Sequence, residues 1–331
     1  MFNPDQFSNM QLFDVGELGF ACIFKTQKMF SSQSEVFFYS TKTGSQWTYS
    51  ADKKNADLKI LGNTDSFLVL GIYAAKTFKR GTYTIEGISC RNGLKEFESN
   101  LDDDKFSSYP YNKSIESSSK DFLMVGAYVD KDAGLFNRGN GMFICSLDNR
   151  GKLLNKTYNT WDDISKYINV SEKGKFEDQG YLFMKNFIKT SNGKSFIIFE
   201  GFDLKRVYDL VIFEFNNENK IVNSTIFPKT KNKWDRTNPF AENPFDYQFT
   251  SSNPDRSNFS IVYQDYLRKE GKEKLSYKII DYRNGQFTNE NFDLNSKATV
   301  VKVFPAKAGS IMIFEYFKKE KKINMRLEKI G

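Results

Sequence analysis

The sequence predicts an all-β fold: a β-propeller-like ring of about five to six four-stranded blades, in a single domain over residues 1–331. Three observations predict it. The 33 Phe and 17 Tyr residues, together with Val and Ile, favour half-buried strands. A pair of apolar strands recurs along the chain, and short turns rich in Asn and Gly follow these pairs. Two alternatives stay open, an open β-sandwich and a fragment of a longer β-rich protein.

The repeat is clearest in three segments that align without gaps. They are "DSFLVLGIY" at 65–73, "KDFLMVGAY" at 120–128 and "KSFIIFEGF" at 194–202. A single unit cannot bury its apolar surface alone, so neighbouring units are expected to stack. Extending the pattern predicts six units, near residues 19–50, 56–98, 119–157, 180–227, 247–293 and 298–331.

Each unit is predicted to hold a leading strand, the two apolar strands and a more polar outer strand. All 7 prolines lie outside the two central strands, where Pro would remove a ladder hydrogen bond. The sixth unit reaches the end of the sequence at its third strand. Residues 7–17, "FSNMQLFDVGE", are therefore predicted to supply its last strand.

One short helix is predicted near 160–170, in the link between the third and fourth units. Trp161, Ile164 and Ile168 follow helical spacing in "TWDDISKYINV". Thr160 is suited to cap the first turn, and Asp163 follows it by three positions.

Composition excludes several kinds of enzyme. The chain has no His, which excludes His-dependent triads and HExxH zinc sites. Its 3 Cys are far apart and form no CxxC pair. We therefore expect no metal site, no cofactor and no catalytic residues of these classes. Cys22 and Cys145 lie in apolar runs and are predicted to be buried thiols.

The net charge of +7 is spread along the chain. Its densest run, "KKEKK" at 318–322, lies between two apolar segments and predicts a hairpin turn. Without a recognisable nucleic-acid module, we expect no nucleic-acid partner. No apolar run is long enough for a transmembrane segment. The N-terminus lacks the features of a signal peptide, so localisation is unknown; a periplasmic or cell-surface location is expected if the gene encodes one.

The candidate ligand site lies in the long link "KNKWDRTNPFAENPFDYQF" at 231–249. Aromatic faces beside carboxylates and a guanidinium suit a sugar or a peptide. A Pro-braced loop packed by its own aromatic residues explains the same pattern. The predicted ligand-binding residues are Trp234, Asp235, Arg236, Phe245, Asp246 and Tyr247.

Other motifs carry weaker signals. "GNGMFICSL" at 139–147 has the glycines of a phosphate loop but continues into a strand pattern, so it predicts a turn. "LDDDK" at 101–105 lacks the spacing of a calcium loop and predicts a solvated turn. Asp65 and Asp121 precede apolar strands, where Asp is an ordinary turn residue.

Three longer stretches resemble the C-terminal part of an uncharacterised Bacteroidota family of exported β-rich proteins, a domain of unknown function. They are "DKDAGLFNRGNGMFICSLDNRGKLLNKTYNTWDDISKYI" at 130–168, "GKFEDQGYLF" at 174–183 and "VFPAKAGSIMIFEYFKKEKKINMRLEKIG" at 303–331. The resemblance implies no activity and supplies no catalytic residues.

The function predicted from these observations is a non-enzymatic binding or scaffold protein of the bacterial cell envelope. Such a protein could be a peripheral subunit of an outer-membrane complex, with a protein or glycan as its partner. The alternative is a carbohydrate-active enzyme that uses loop carboxylates.

Overall fold

A computed structural model gives the architecture of the chain. It describes residues 7–28, 31–52, 56–76, 79–117, 121–133, 139–176, 180–203, 206–229, 232–233, 246–269, 272–292, 296–307 and 309–329. The chain divides into two compact units. The first comprises Met1–Gly174 with Glu218–Lys220, and the second comprises Lys175–Asn217 with Ile221–Gly331.

The first unit contains three antiparallel sheets, each built from four strands in chain order. Sheet one has β1 (Phe7–Asp14), β2 (Phe20–Lys28), β3 (Ser31–Tyr39) and β4 (Gln46–Ser50). Sheet two has β5 (Ala56–Asn63), β6 (Phe67–Lys76), β7 (Lys79–Ser89) and β8 (Lys95–Ser99). Sheet three has β9 (Phe106–Ser117), β10 (Asp121–Asp130), β11 (Gly141–Asp148) and β12 (Leu153–Thr160). A 3-10 turn at Gly16–Leu18 joins β1 to β2.

Sheet two buries both of its faces because successive side chains of a strand point to opposite sides. Leu68 and Leu70 of β6 belong to the core shared with sheet one. Phe67 and Val69 of the same strand belong to the core shared with sheet three. This explains why the central strands are continuous apolar runs rather than alternating ones.

Two glycines of the repeat make room for aromatic rings. A Cβ on Gly71 would overlap the Tyr83 side chain, and one on Gly126 would overlap the Phe143 ring. Gly126 lies directly opposite Phe143 in the β10–β11 ladder. The shared glycine in "FLVLGIY" and "FLMVGAY" therefore reflects close packing against the next strand.

The second unit contains sheets four to six. Sheet four has β13 (Tyr181–Lys189), β14 (Ser195–Phe202), β15 (Arg206–Phe215) and β16 (Ile221–Phe227), and β17 (Asn232–Lys233) also pairs with β15. Sheet five has β18 (Tyr247–Ser252), β19 (Phe259–Lys269), β20 (Lys272–Arg283) and β21 (Gln286–Phe292). Sheet six has β22 (Val300–Pro305), β23 (Ser310–Phe317) and β24 (Lys322–Lys329).

Sheet five is the central layer of this unit. Ile261 and Tyr263 of β19 pack in a core with Phe196 of sheet four. Val262, on the opposite face, packs with Ile311 and Ile313 of sheet six. The alternation within β19 thus buries both faces, as β6 does in the first unit.

The predicted helix is confirmed, although it is shorter than the sequence pattern. It is α1 (Trp161–Ser165), with Trp161 and Ile164 buried. The Asp163 backbone N–H donates to Thr160 Oγ1, and the Thr160 backbone N–H donates to the Asp163 carboxylate, which completes a capping box. No helix in the described part of the chain is long and apolar enough to cross a membrane.

Six successive antiparallel sheets, one short helix and otherwise tight turns confirm the predicted all-β, β-propeller class. Two details differ from expectation. Residues Phe7–Asp14 pair with β2 as the first strand of sheet one, so they do not complete the sixth sheet. Pairing with the next strand along the chain needs only a short connection, which favours this local partner. Among the described residues, sheet six has three strands.

Candidate functional site

The predicted ligand residues fall into two groups. Trp234, Asp235, Arg236 and Phe245 lie outside the described residues. Asp246 and Tyr247 are described: Asp246 directly precedes β18, the first strand of sheet five, and Tyr247 is the first residue of that strand. The structure therefore shows how the end of the predicted segment is held.

Asp246 belongs to a buried charge cluster that comprises Glu200, Lys229 and Asp246. Lys229 Nζ forms ion pairs with Glu200 Oε1 and, at 2.9 Å, with Asp246 Oδ2. The side chains of Lys229, Glu200 and Asp246 are 1%, 0% and 16% exposed. Charges this deeply buried are stable only when paired, and each member here has a partner of opposite sign.

Glu200 also binds the backbone at the start of sheet five. The Asp246 N–H donates to Glu200 Oε1 at 3.1 Å, and the Tyr247 N–H donates to Oε2 at 3.3 Å. At the other end of the link, the Lys229 N–H donates to Asp209 Oδ1 at 2.9 Å. Residues 229 and 246, which flank the segment 230–245, are thus fixed to one another and to sheet four.

The local sequence explains how these groups meet. Glu200 lies on β14, four positions after Phe196, at the place where Gly71 and Gly126 stand in sheets two and three. Lys229 follows Pro228 just beyond β16. A carboxylate within the apolar run "FIIFEGF" is stable only when its oxygens are hydrogen-bonded or ion-paired. Lys229 at one end of the long link and the backbone of residues 246–247 at the other end provide these contacts.

The cluster strongly perturbs the protonation of its members. Burial alone would lower the pKa of Lys229, but the charges of Glu200 and Asp246 outweigh it and raise that pKa, so the amine stays charged. Burial raises the pKa of the Asp246 carboxyl to about 6, with Lys229 opposing the rise and Glu200 adding to it. Asp246 therefore changes charge in the range where a general acid operates.

Tyr247 is a core residue. It packs with Ile198 and Tyr263 in the core between sheets four and five, and its hydroxyl lies 2.9 Å from Thr250 Oγ1. Burial raises its pKa above the usual value of a phenol. Tyr247 therefore fixes the start of β18 in this core.

The cluster limits the chemistry available at this point. A glycosidase holds its two carboxyls on either side of the scissile bond. Here Glu200 is fully buried, and both carboxylates bind the same ammonium group. The arrangement is suited to anchoring the segment 230–245. Nowhere among the described residues do three or more Asp, Glu, Cys or His side chains gather to hold a metal ion.

A second buried lysine lies in the first unit and is also satisfied. Lys156 Nζ donates to Leu101 O and to Ser108 Oγ, both at 2.6 Å, and lies 4.9 Å from the centre of the Phe143 ring. Burial lowers its pKa, and Asp103 opposes that shift. The "LDDDK" run forms a turn in which Asp103 Oδ1 accepts from the backbone N–H of Phe106 at 2.9 Å.

The three cysteines are free and buried, as predicted for two of them. Burial raises the pKa of the Cys90 thiol to about 11 and that of Cys145 to about 12, although Lys156 lowers the latter slightly. Both side chains are therefore neutral thiols that fill the core of the first unit.

Sequence reasoning missed Glu200 and Lys229, the centre of this cluster. The available signal was the charged residue inside an apolar strand, at a position where two sister units carry glycine. A buried charge demands a partner, but the identity of that partner depends on how the chain folds back.

Comparison with known proteins places the chain in a family. A family model described as "Family of unknown function (DUF6770)" matches residues 1–208 and 203–331. The chain belongs to DUF6770. The two matches cover the whole sequence of this DUF6770 protein, and the family has no assigned activity. No curated protein matches it.

Three solved structures that resemble this DUF6770 protein do so at low identity. A eukaryotic initiation factor is 16% identical with a TM-score of 0.37, over 87% of this chain and 55% of that one, so the chain spans about half of its length. The β-propeller domain of the Trilobed protease from Pyrococcus furiosus is 11% identical with a TM-score of 0.43, over 98% and 82%. Polysaccharide lyase Uly1 is 9% identical with a TM-score of 0.44, over 96% and 81%.

Proposed function

We propose that this DUF6770 protein is a non-enzymatic binding or scaffold protein of the bacterial cell envelope, acting as a peripheral subunit of an outer-membrane complex. The segment 230–245 is the proposed recognition element, and its partner is a protein or a glycan. The envelope location is proposed from the resemblance of the sequence motifs to exported proteins.

One observation carries the proposal. The residues flanking the segment, Lys229 and Asp246, are bound to each other and to the same buried carboxylate, Glu200. A segment whose two ends are fixed loses less conformational entropy on binding than one with free ends. The cluster therefore supports a recognition role for Trp234 and Phe245, because aromatic side chains dominate the binding energy of many interfaces.

The test is recovery of partners from native envelopes with the tagged full-length chain. Wild type is expected to recover a reproducible set of proteins or glycans, and the double variant Trp234→Ala/Phe245→Ala is expected to lose it. Phe183→Ala, at an exposed aromatic side chain on β13, is the matched control and should retain the partner. Failure of the wild type to recover anything, or equal recovery by the double variant, would refute the proposal.

The raised pKa of Asp246 favours a second candidate, a carbohydrate-active enzyme. Its test is a screen of polysaccharides with wild type, Asp235→Asn and Asp246→Asn. Turnover that falls in either variant, at equal folded fraction by circular dichroism, would support the enzyme. Absence of turnover by the wild type on every polysaccharide would count against it.

A further inference from the structure

The outermost strand of sheet six, β24, presents an inverted pattern of exposure. Its apolar side chains Ile323, Met325 and Leu327 are 55%, 68% and 59% exposed. The polar side chains between them, Asn324 and Arg326, are less exposed. A solitary exposed apolar residue is ordinary, but an apolar stripe along the edge of a sheet marks an interaction surface.

The stripe continues across the sheet. Paired residues of an antiparallel ladder point to the same face, and Met325 pairs with Phe314 while Leu327 pairs with Met312. Phe304, which pairs with Met312 on the other side, is 41% exposed. The opposite face of sheet six, with Ile311 and Ile313, is the one packed on sheet five.

The outer edge of β24 has no neighbour among the described residues, whereas each of the other five sheets has a fourth strand at the equivalent place. The backbone groups along that edge can therefore pair with an added strand. The question is which strand fits.

The sequence of β24 is complementary to itself in the antiparallel direction. When two copies of "KINMRLE" (322–328) are aligned about Met325, Lys322 of one lies opposite Glu328 of the other. In the same register Ile323 lies opposite Leu327, and Met325 lies opposite Met325. Opposite charges and apolar pairs placed directly across two strands stabilise their pairing.

We propose that this chain forms a homodimer through antiparallel pairing of β24 with β24 of a second copy, centred on Met325. The interface is isologous, because each contact occurs twice about a two-fold axis. Two three-stranded sheets then become one six-stranded sheet, and the side chains of the stripe contact their counterparts across the new pair. This assembly is independent of the recognition role proposed for residues 230–245.

The first test changes the pair formed by Lys322 of one copy and Glu328 of the other. Sedimentation velocity over a concentration series measures the strength of dimerisation. Lys322→Glu and Glu328→Lys each place like charges opposite one another twice, and each is expected to weaken dimerisation by about tenfold or more. The double variant Lys322→Glu/Glu328→Lys restores opposite charges and should restore the dimer. Lys319→Glu, in the turn before β24, makes the same change of net charge as Lys322→Glu and should leave the dimer unchanged.

Register provides the second test, by disulfide formation. Met325→Cys brings two thiols directly opposite each other, within the Cα separation that a disulfide spans. Leu327→Cys places the two thiols four residues apart along the strand, about 13 Å, which is too far for a disulfide. The three native cysteines are buried and should not interfere.

Met325→Cys is expected to cross-link under mild oxidation and Leu327→Cys is not. A wild type that remains monomeric at all concentrations would overturn the proposal. A dimer that tolerates both single charge changes, or that cross-links equally at both positions, would show a different interface and would also overturn it. Circular dichroism of each variant verifies that loss of the dimer is not loss of folding.

Discussion

Replacing Lys229 with Met leaves two buried carboxylates beside each other without their shared cation. The Lys229 ammonium contacts both Glu200 and Asp246, and its side chain is 1% exposed. Removing one partner from a buried ion cluster typically costs about 3–5 kcal/mol, because the remaining charges stay desolvated. For a compact unit of this size, that cost corresponds to a fall in Tm of roughly 6–20 °C.

The assay is thermal unfolding at pH 7.5, followed by circular dichroism, with two comparison variants. The neutral triple variant Glu200→Gln/Lys229→Met/Asp246→Asn removes all three charges and should recover most of the loss. Lys166→Met removes an exposed lysine that pairs with Asp163 and should leave the Tm unchanged. An unchanged Tm in Lys229→Met, or a triple variant no more stable than the single one, would refute the view that the cluster stabilises the fold.

Three further predictions follow from the described residues. Because the folded-state pKa of Asp246 is raised from 3.8 to about 6, its contribution to stability is present below pH 4 and is lost as pH rises through 6. Urea unfolding between pH 4 and 7 should show this loss, roughly 3 kcal/mol at most, in wild type but not in Asp246→Asn. Gly71→Ala is expected to lower the free energy of unfolding by about 1–3 kcal/mol, because the new Cβ overlaps Tyr83, and equal urea midpoints would contradict this. A thiol reagent should label the buried thiols of Cys22, Cys90 and Cys145 slowly in the native chain and fully after unfolding in urea. Rapid labelling of the native chain would disprove their burial.

The sequence was sufficient to predict the central strands because their apolar side chains follow a repeated phase. Phe67, Phe122 and Phe196 occupy equivalent places, and all three are buried. The short helix was predictable because its cap is local: Thr160 and Asp163 are three residues apart. Local hydrogen bonds and periodic burial both depend on residues that are close together in the sequence, so the sequence alone can predict them.

The sequence did not show which segments become partners in two places, the first strand and the buried charge cluster. Residues 7–17 were expected to complete the sixth unit, whereas Phe7–Asp14 pair with β2, and the apolar pattern of this segment is the same for either partner. The cluster of Glu200, Lys229 and Asp246 joins three segments, and no periodicity relates them. Tyr247, which the sequence predicts as a ligand-binding residue, is 7% exposed and lies in the core between sheets four and five. Its role as a ligand contact stays a prediction.

One position of the repeat, four residues after the first aromatic or aliphatic residue of the central strand, differs in chemistry between the sheets. In sheets two and three it is glycine, and an aromatic ring from the next strand fills the space. In sheet four it is Glu200, which binds the backbone at the start of sheet five, and in sheet six it is Glu315, which pairs with Arg326 on β24. The same position of the repeat therefore serves packing in sheets two and three and polar contacts in sheets four and six. Departures from the repeat, rather than the repeat itself, mark the residues that position the candidate recognition segment.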